Sequence, residues 1–161
     1  MLGQPASERM TSPREDSPRE DAIRLLARRE YSRGELVERL SAKGHDSSAI
    51  DDCLDALAEQ GLQSDSRFAE SFLRSRVVRG QGPLKIRGEL SRRGIDRATL
   101  EAAFAEAETD WFALACDSLA RRFDGPGDSP RERARRERFL ASRGFDFEHL
   151  RHALSHAWDV D

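Results

Sequence analysis

Three histidines, His149, His152 and His156, recur at i, i+3 and i+7, a spacing that lines imidazoles along one side of a helix, where they could ligate a metal ion. The apolar residues Leu150, Ala153, Leu154 and Ala157 define the opposite side, and no cysteine is nearby. The histidines therefore read as a solvated helix face, and no metal is expected. Cys53 could act as a nucleophile with His45 as its base, yet it aligns with Ala103 and Ala153 in the internal repeat described below. That equivalence points to packing. Gly125-Pro126-Gly127 lacks a following lysine to hold a phosphate and reads as a loop. The chain contains no Gly-rich Lys-Ser/Thr phosphate loop, no His-Glu-x-x-His pair and no Gly-x-Ser-x-Gly turn. Its carboxylates lie among compensating charges, and nothing pairs two of them in an apolar setting. Neither a catalytic residue nor a cofactor site is expected.

The remaining chemistry is that of cations. The net charge is −3, but residues 64–95 carry eight Lys/Arg against three acids, 121–143 eight against four, and 96–120 one against six. In the first block Arg74, Arg76, Arg79, Lys85, Arg87, Arg92 and Arg93 are the candidate partner- or DNA-binding residues, with Lys85 and Arg92 on one helix face. Arg131 and Arg135 join them from a second run that also holds Arg133, Arg136 and Arg138 and is partly offset by Glu132 and Glu137. Such patches bind phosphates or acidic protein surfaces.

The elements that must position these cations are legible in an internal repeat. Leu40-x3-Gly44-x-Asp46, Leu90-x3-Gly94-x-Asp96 and Leu140-x3-Gly144-x-Asp146 recur with a period of 50 residues. The same offset aligns Ile50, Leu100 and Leu150, then Cys53, Ala103 and Ala153, then Leu54, Phe104 and Leu154, then Leu57, Ala107 and Ala157. Each glycine follows a basic residue, Lys43, Arg93 or Arg143, as where a helix ends in a left-handed residue. Each aspartate is placed to cap the next helix. Start signals precede each of the glycine-terminated helices: Ser32-x-x-Glu35, Gly82-Pro83 and Ser129-Pro130-Arg131-Glu132. A further apolar helix leads each unit, carrying Ile23 and Leu26, then Phe68, Phe72, Leu73 and Val77, then Phe112, Ala115, Cys116 and Leu119.

The spacing thus predicts an all-α fold of three tandem three-helix repeats, 17–63, 64–108 and 109–161, stacked in an elongated or curved array. Residues 1–16, rich in Ser, Pro and opposite charges, read as a disordered tail. A helix is expected to begin near Ser17, where Ser17-Pro18-Arg19-Glu20 supplies a cap, a first-position proline and a capping-box acid. Charged residues make up 35% of the chain and mean hydropathy is −0.73, so the core must come from Leu, Ile, Ala and Phe at helical spacing. Cys53 and Cys116 sit among apolar neighbours and suit reduced thiols. With no apolar run approaching a membrane span and no export signal, the expected location is the cytoplasm.

Two helices meeting at a glycine turn also outline a helix-turn-helix DNA reader. The would-be recognition helix of the first unit, Ser47 to Gln60, carries Asp51, Asp52, Asp55 and Glu59 with no Lys or Arg, and Glu101, Glu106 and Glu108 mark the second. Sequence-specific reading of the major groove is disfavoured. An independent DNA-binding role and a general interaction scaffold stay open as alternatives.

The run Ala22-Ile23-Arg24-Leu25-Leu26-Ala27-Arg28-Arg29-Glu30-Tyr31-Ser32, with Glu35-Leu36 and Leu40, resembles the opening of the RecX regulatory proteins. The middle repeat resembles that family's central motif through Asp65-x2-Phe68-Ala69, Arg76 and Gly80-x-Gly82-Pro83-x2-Ile86-x2-Glu89-Leu90-x2-Arg93-Gly94-Ile95. The likeness is strong over 20–108 and looser over 109–157, where the 123–129 loop and the following arginine run depart from the pattern. The resemblance implies three tandem three-helix repeats, no catalytic activity, and binding in the groove of the RecA filament on DNA; the chain itself is expected to be a monomer. DNA would then be met mainly as part of that filament. It further implies inhibition of RecA's ATP hydrolysis, strand exchange and co-protease functions.

Overall fold

A computed structural model describes residues 16–159. Among them lie nine helices: α1 (Pro18–Leu26), α2 (Arg33–Ala42), α3 (Ser47–Glu59), α4 (Asp65–Val78), α5 (Pro83–Arg92), α6 (Arg97–Ala107), α7 (Trp111–Arg122), α8 (Pro130–Arg143) and α9 (Phe147–His156). No strand occurs among the described residues. The expected tail lies outside them, save Asp16, whose carboxylate pairs with Arg24 at 3.1 Å.

The 50-residue period is a repeated helix-ending motif. Gly44, Gly94 and Gly144 all take positive φ, of 92°, 86° and 96°. The amides of His45, Ile95 and Phe145 donate back to the carbonyls of Leu40, Leu90 and Leu140 at 3.2, 3.1 and 3.2 Å, closing the same loop each time. Those three leucines are fully buried. Asp46, Asp96 and Asp146 then cap α3, α6 and α9 by accepting amide hydrogens of the following helix, as their spacing predicts. The serines expected to start α1 and α2 form full capping boxes, Ser17 with Glu20 and Ser32 with Glu35.

The chain divides into two compact units, one ending at Phe68 and one starting at Ala69. In the first, Ala22, Tyr31, Leu36, Leu40, Ile50, Leu54 and Leu57 form one core, with Cys53 packed against its edge. A buried carboxylate ties this unit together. Asp21, only 3% exposed, meets His45 Nε2 at 2.7 Å, Arg24 at 2.8 Å and Lys43 at 3.7 Å. Burial pushes this carboxyl up, but the hydrogen bonds with His45 and Arg24, and the charge of Lys43, outweigh it and leave the group below its ordinary range. Asp65 at the start of α4 accepts the Arg33 amide at 2.8 Å, satisfying a free donor at the head of α2.

In the second unit Leu73, Ile86, Leu90, Ile95, Leu100 and Ala103 are buried. Ala115, Leu119, Phe123, Leu140, Phe145, Leu150 and Ala153 form a second cluster around α7, α8 and α9. The repeat alignment overreaches at one position. Ala107, equivalent to Leu57, is exposed, because α6 ends there and Glu108 turns left-handed at φ 47°. Phe112, expected in the core, is 38% exposed and lies edge-on over His149 at 4.8 Å and His152 at 5.1 Å.

Candidate partner interface

The candidate cations of the middle repeat separate into two groups. Arg87 is held in place: its guanidinium grips Glu101 with both nitrogens, at 2.6 and 3.2 Å, and lies 4.2 Å over Phe104. These hydrogen bonds hold the Glu101 carboxyl below its ordinary range. Arg76 and Arg93 share the ring of Phe72, at 4.3 and 4.7 Å. Arg76 also approaches Glu89 at 3.6 Å, and Arg93 donates to the Glu89 carbonyl. These three arginines brace α4, α5 and α6 against one another. By contrast Arg74, Arg79, Lys85, Arg92 and Arg131 are exposed, and no side-chain hydrogen bond or ion pair holds them among the described residues. Exposed Arg135 approaches the Phe123 ring at 5.8 Å. Arg74 lines a groove together with Glu70, Glu106 and the apolar Leu73, Val77, Val78 and Ala103.

The structure also brings Arg79 beside three cations that the sequence places more than 40 residues further along. Arg79, Arg121, Arg122 and Arg143 line a groove of about 460 Å³ where the end of α4 meets α7 and α8. Val77, Val78, Leu114 and Phe139 supply its apolar part, and Asp117 is its one acidic lining residue. Of the four arginines only Arg79 stands among the sequence candidates. Arg121 and Arg122 enter the sequence reading only as part of the 121–143 charge block, and Arg143 as a last-turn cation. The signal that could have found them is the charge block 121–143, taken whole.

Backbone contacts hold this groove. The amides of Gly82 and Leu84, at the head of α5, donate to the carbonyls of Arg143 and Gly144, at the tail of α8, at 2.7 and 2.9 Å. One helix end thereby satisfies another. Gly82 caps α5 without a side chain, because its place is filled from across the junction. A Cβ on Gly82 would lie 2.5 Å from the Gly144 carbonyl, and one on Gly144 would lie 2.4 Å from Lys85 Cβ. The Arg143 guanidinium donates to the Arg79 carbonyl, and Ser118 Oγ to the Gly80 carbonyl at 3.4 Å. Arg136, read in the sequence as part of a surface run, is buried and donates to the Gly125 carbonyl at 2.7 Å, fixing the 123–129 loop.

The histidine side of α9 departs from its sequence reading. His149 is 8% exposed, not solvated, since Phe112 and Phe145 pack on it, and its Nδ1 accepts the Asp146 amide. His156 meets Asp159 at 2.8 Å, and only His152 and His156 approach each other, ring centroids 4.6 Å apart. No three His, Cys, Asp or Glu residues converge to hold a metal among the described residues. His45 is engaged with Asp21, and burial pushes the Cys53 and Cys116 thiols up, away from nucleophilic use. No helix among the described residues is long and apolar enough to cross a membrane.

Comparison with known proteins accords with this architecture. Family models described as the first, second and third three-helix domains of RecX match residues 19–57, 64–104 and 108–154 in that order. A regulatory protein RecX of Chromohalobacter salexigens is 63% identical over 149 residues, covering 92% of this chain and 97% of that one. Those of Halorhodospira halophila and Pseudomonas entomophila are 45% and 46% identical, covering 86% and 81% of this chain and 87% and 85% of theirs. The crystal structure of RecX from Lactobacillus salivarius shares the fold with a TM-score of 0.72 at 23% identity, over 87% of this chain and 94% of that chain. Three matched domains in order and near full-length identity place this chain in the RecX family of regulatory proteins.

Proposed function

We propose that this chain restrains the recombinase RecA by binding its filament on DNA, slowing ATP hydrolysis, strand exchange and co-protease action without catalytic chemistry of its own. Membership of the RecX family, matched across all three of its three-helix domains, is the observation that carries this reading. The exposed cations Arg74, Arg79, Lys85, Arg92, Arg131 and Arg135 are proposed to meet acidic RecA surface or nearby phosphate. Arg76, Arg87 and Arg93 hold the middle repeat in the shape that presents them. The proposed repeats span 17–63, 64–108 and 109–161, and several contacts along one filament raise the apparent affinity. The protein acts in the cytoplasm as a monomer.

ATP hydrolysis by RecA on single-stranded DNA, titrated with this protein well below one molecule per RecA, tests the reading. Inhibition is expected at such substoichiometric levels. Full activity at equimolar protein overturns it, and steeply salt-sensitive binding to bare DNA, matching that to RecA-coated DNA, points instead to an independent DNA binder.

A further inference from the structure

We infer that the groove between the end of α4 and the α7–α8 pair is a docking site for an acidic peptide segment with bulky apolar side chains at its centre. The inference rests on the reading that this chain acts on a protein filament, and it specifies the chemistry of one contact. Two kinds of surface meet there. Arg79 and Arg121 are exposed, with side chains in no ion pair or hydrogen bond among the described residues. Arg122 and Arg143 complete the cationic rim, and the single facing carboxylate is that of Asp117. Inside the rim the lining is aliphatic, through Leu114 and a Val78 that is 82% exposed. A valine so open amid guanidinium groups gains from an apolar partner, and the guanidinium groups from carboxylates flanking it.

A nucleic acid strand fits this lining less well. Single strands are held by aromatic rings with an open face. The one aromatic ring here, Phe139, is half-buried, with the Phe123 ring edge-on at 5.7 Å and the guanidinium groups of Arg122 and Arg143 at 5.9 and 5.8 Å. A phosphodiester backbone would also leave Val78 and Leu114 without an apolar partner. The frame is set before any ligand arrives, because α8 and α5 cap each other and Arg143 and Ser118 grip the turn after α4. Little ordering is left to be done on binding.

The test is fluorescence anisotropy with the full chain and three labelled probes: a twelve-residue Asp/Glu peptide with a central Leu-Phe pair, the same peptide with Ser-Ser there, and an oligothymidine of equal charge. The Leu-Phe peptide is expected to bind about tenfold tighter than the Ser-Ser peptide, the size of effect expected from burying apolar side chains. The double variant Arg121→Glu, Arg122→Glu should abolish binding. Val78→Asp, at a position too exposed to endanger folding, should weaken it about tenfold. No binding of the Leu-Phe peptide, equal binding of both peptides, or binding unchanged in both folded variants overturns the inference. So does oligothymidine binding that these substitutions remove while peptide binding persists. Neither RecA nor filament is present in this assay, so it can fail while filament inhibition stands, and succeed while inhibition fails.

Discussion

Replacing Gly144 by alanine should uncouple the third repeat from the second, and replacing its counterpart Gly44 should not. Both glycines have the same φ to within a few degrees, 96° and 92°, so both alanines carry the left-handed penalty of about 1–2 kcal/mol. Their surroundings differ. A Cβ at Gly44 meets nothing within 4 Å, whereas one at Gly144 falls 2.4 Å from Lys85 Cβ and 2.7 Å from the Lys85 backbone nitrogen. A main-chain atom of a helix cannot step aside as a side-chain tip can. Such overpacking costs about 1–3 kcal/mol. If the junction opens to relieve it, the amides of Gly82 and Leu84 lose their acceptors, at about 0.5–1.5 kcal/mol each. Gly44→Ala should therefore cost about 1–2 kcal/mol and Gly144→Ala about 2–5 kcal/mol. Native-state hydrogen exchange gives the decisive readout, since Gly82 and Leu84 should lose protection in Gly144→Ala and keep it in Gly44→Ala. Equal losses of stability in urea, with these two amides equally protected in both variants, would show that Gly144 has no role at the junction beyond ending its helix.

Three further outcomes are expected. Asp21→Asn should destabilise the first unit by about 1–3 kcal/mol in urea, as it removes charge-assisted hydrogen bonds; because the folded carboxyl titrates below the unfolded value of 3.8, the difference from wild type should hold above that value and fade as pH falls through the lower folded one. Arg74→Glu with Arg92→Glu should leave circular dichroism unchanged and weaken inhibition of RecA ATP hydrolysis, and undiminished inhibition would remove these residues from the interface. Arg87→Ala should act mainly on stability, lowering the urea midpoint through lost contact with Glu101 and Phe104, and should weaken inhibition less than the double charge reversal does.

What could be read from the sequence is local chemistry. Helix ends and caps depend on residues two to six apart, so Leu40, Gly44 and Asp46 and their two sets of counterparts reveal the turns without any tertiary knowledge. The alignment misleads where a helix is shorter than its repeat partner, as at Ala107. Helical spacing misleads where a neighbouring helix covers a polar face, as Phe112 covers His149. Arginines are the hardest residues to sort. Arg87 and Arg92 sit five residues apart on one helix and look alike, yet one lies between a carboxylate and a phenyl ring and the other in solvent. That difference is set by Glu101 and Phe104 on the next helix, contacts that no spacing rule within α5 contains.

The repeat explains how one code can carry two tasks. At Gly44 the left-handed residue only ends a helix, and space around it is open. At Gly144 the same residue in the same conformation also admits the Lys85 backbone, letting the tail of α8 cap the head of α5. That contact draws Arg143 onto the Arg79 carbonyl and thereby brings the 121–143 charge block beside the end of α4. The groove therefore depends on the packing of two repeats and on no single repeat. Such a surface can be altered through a residue that carries no charge of its own, and the Gly144→Ala variant, with every groove cation intact, should lose peptide binding along with the protection of Gly82.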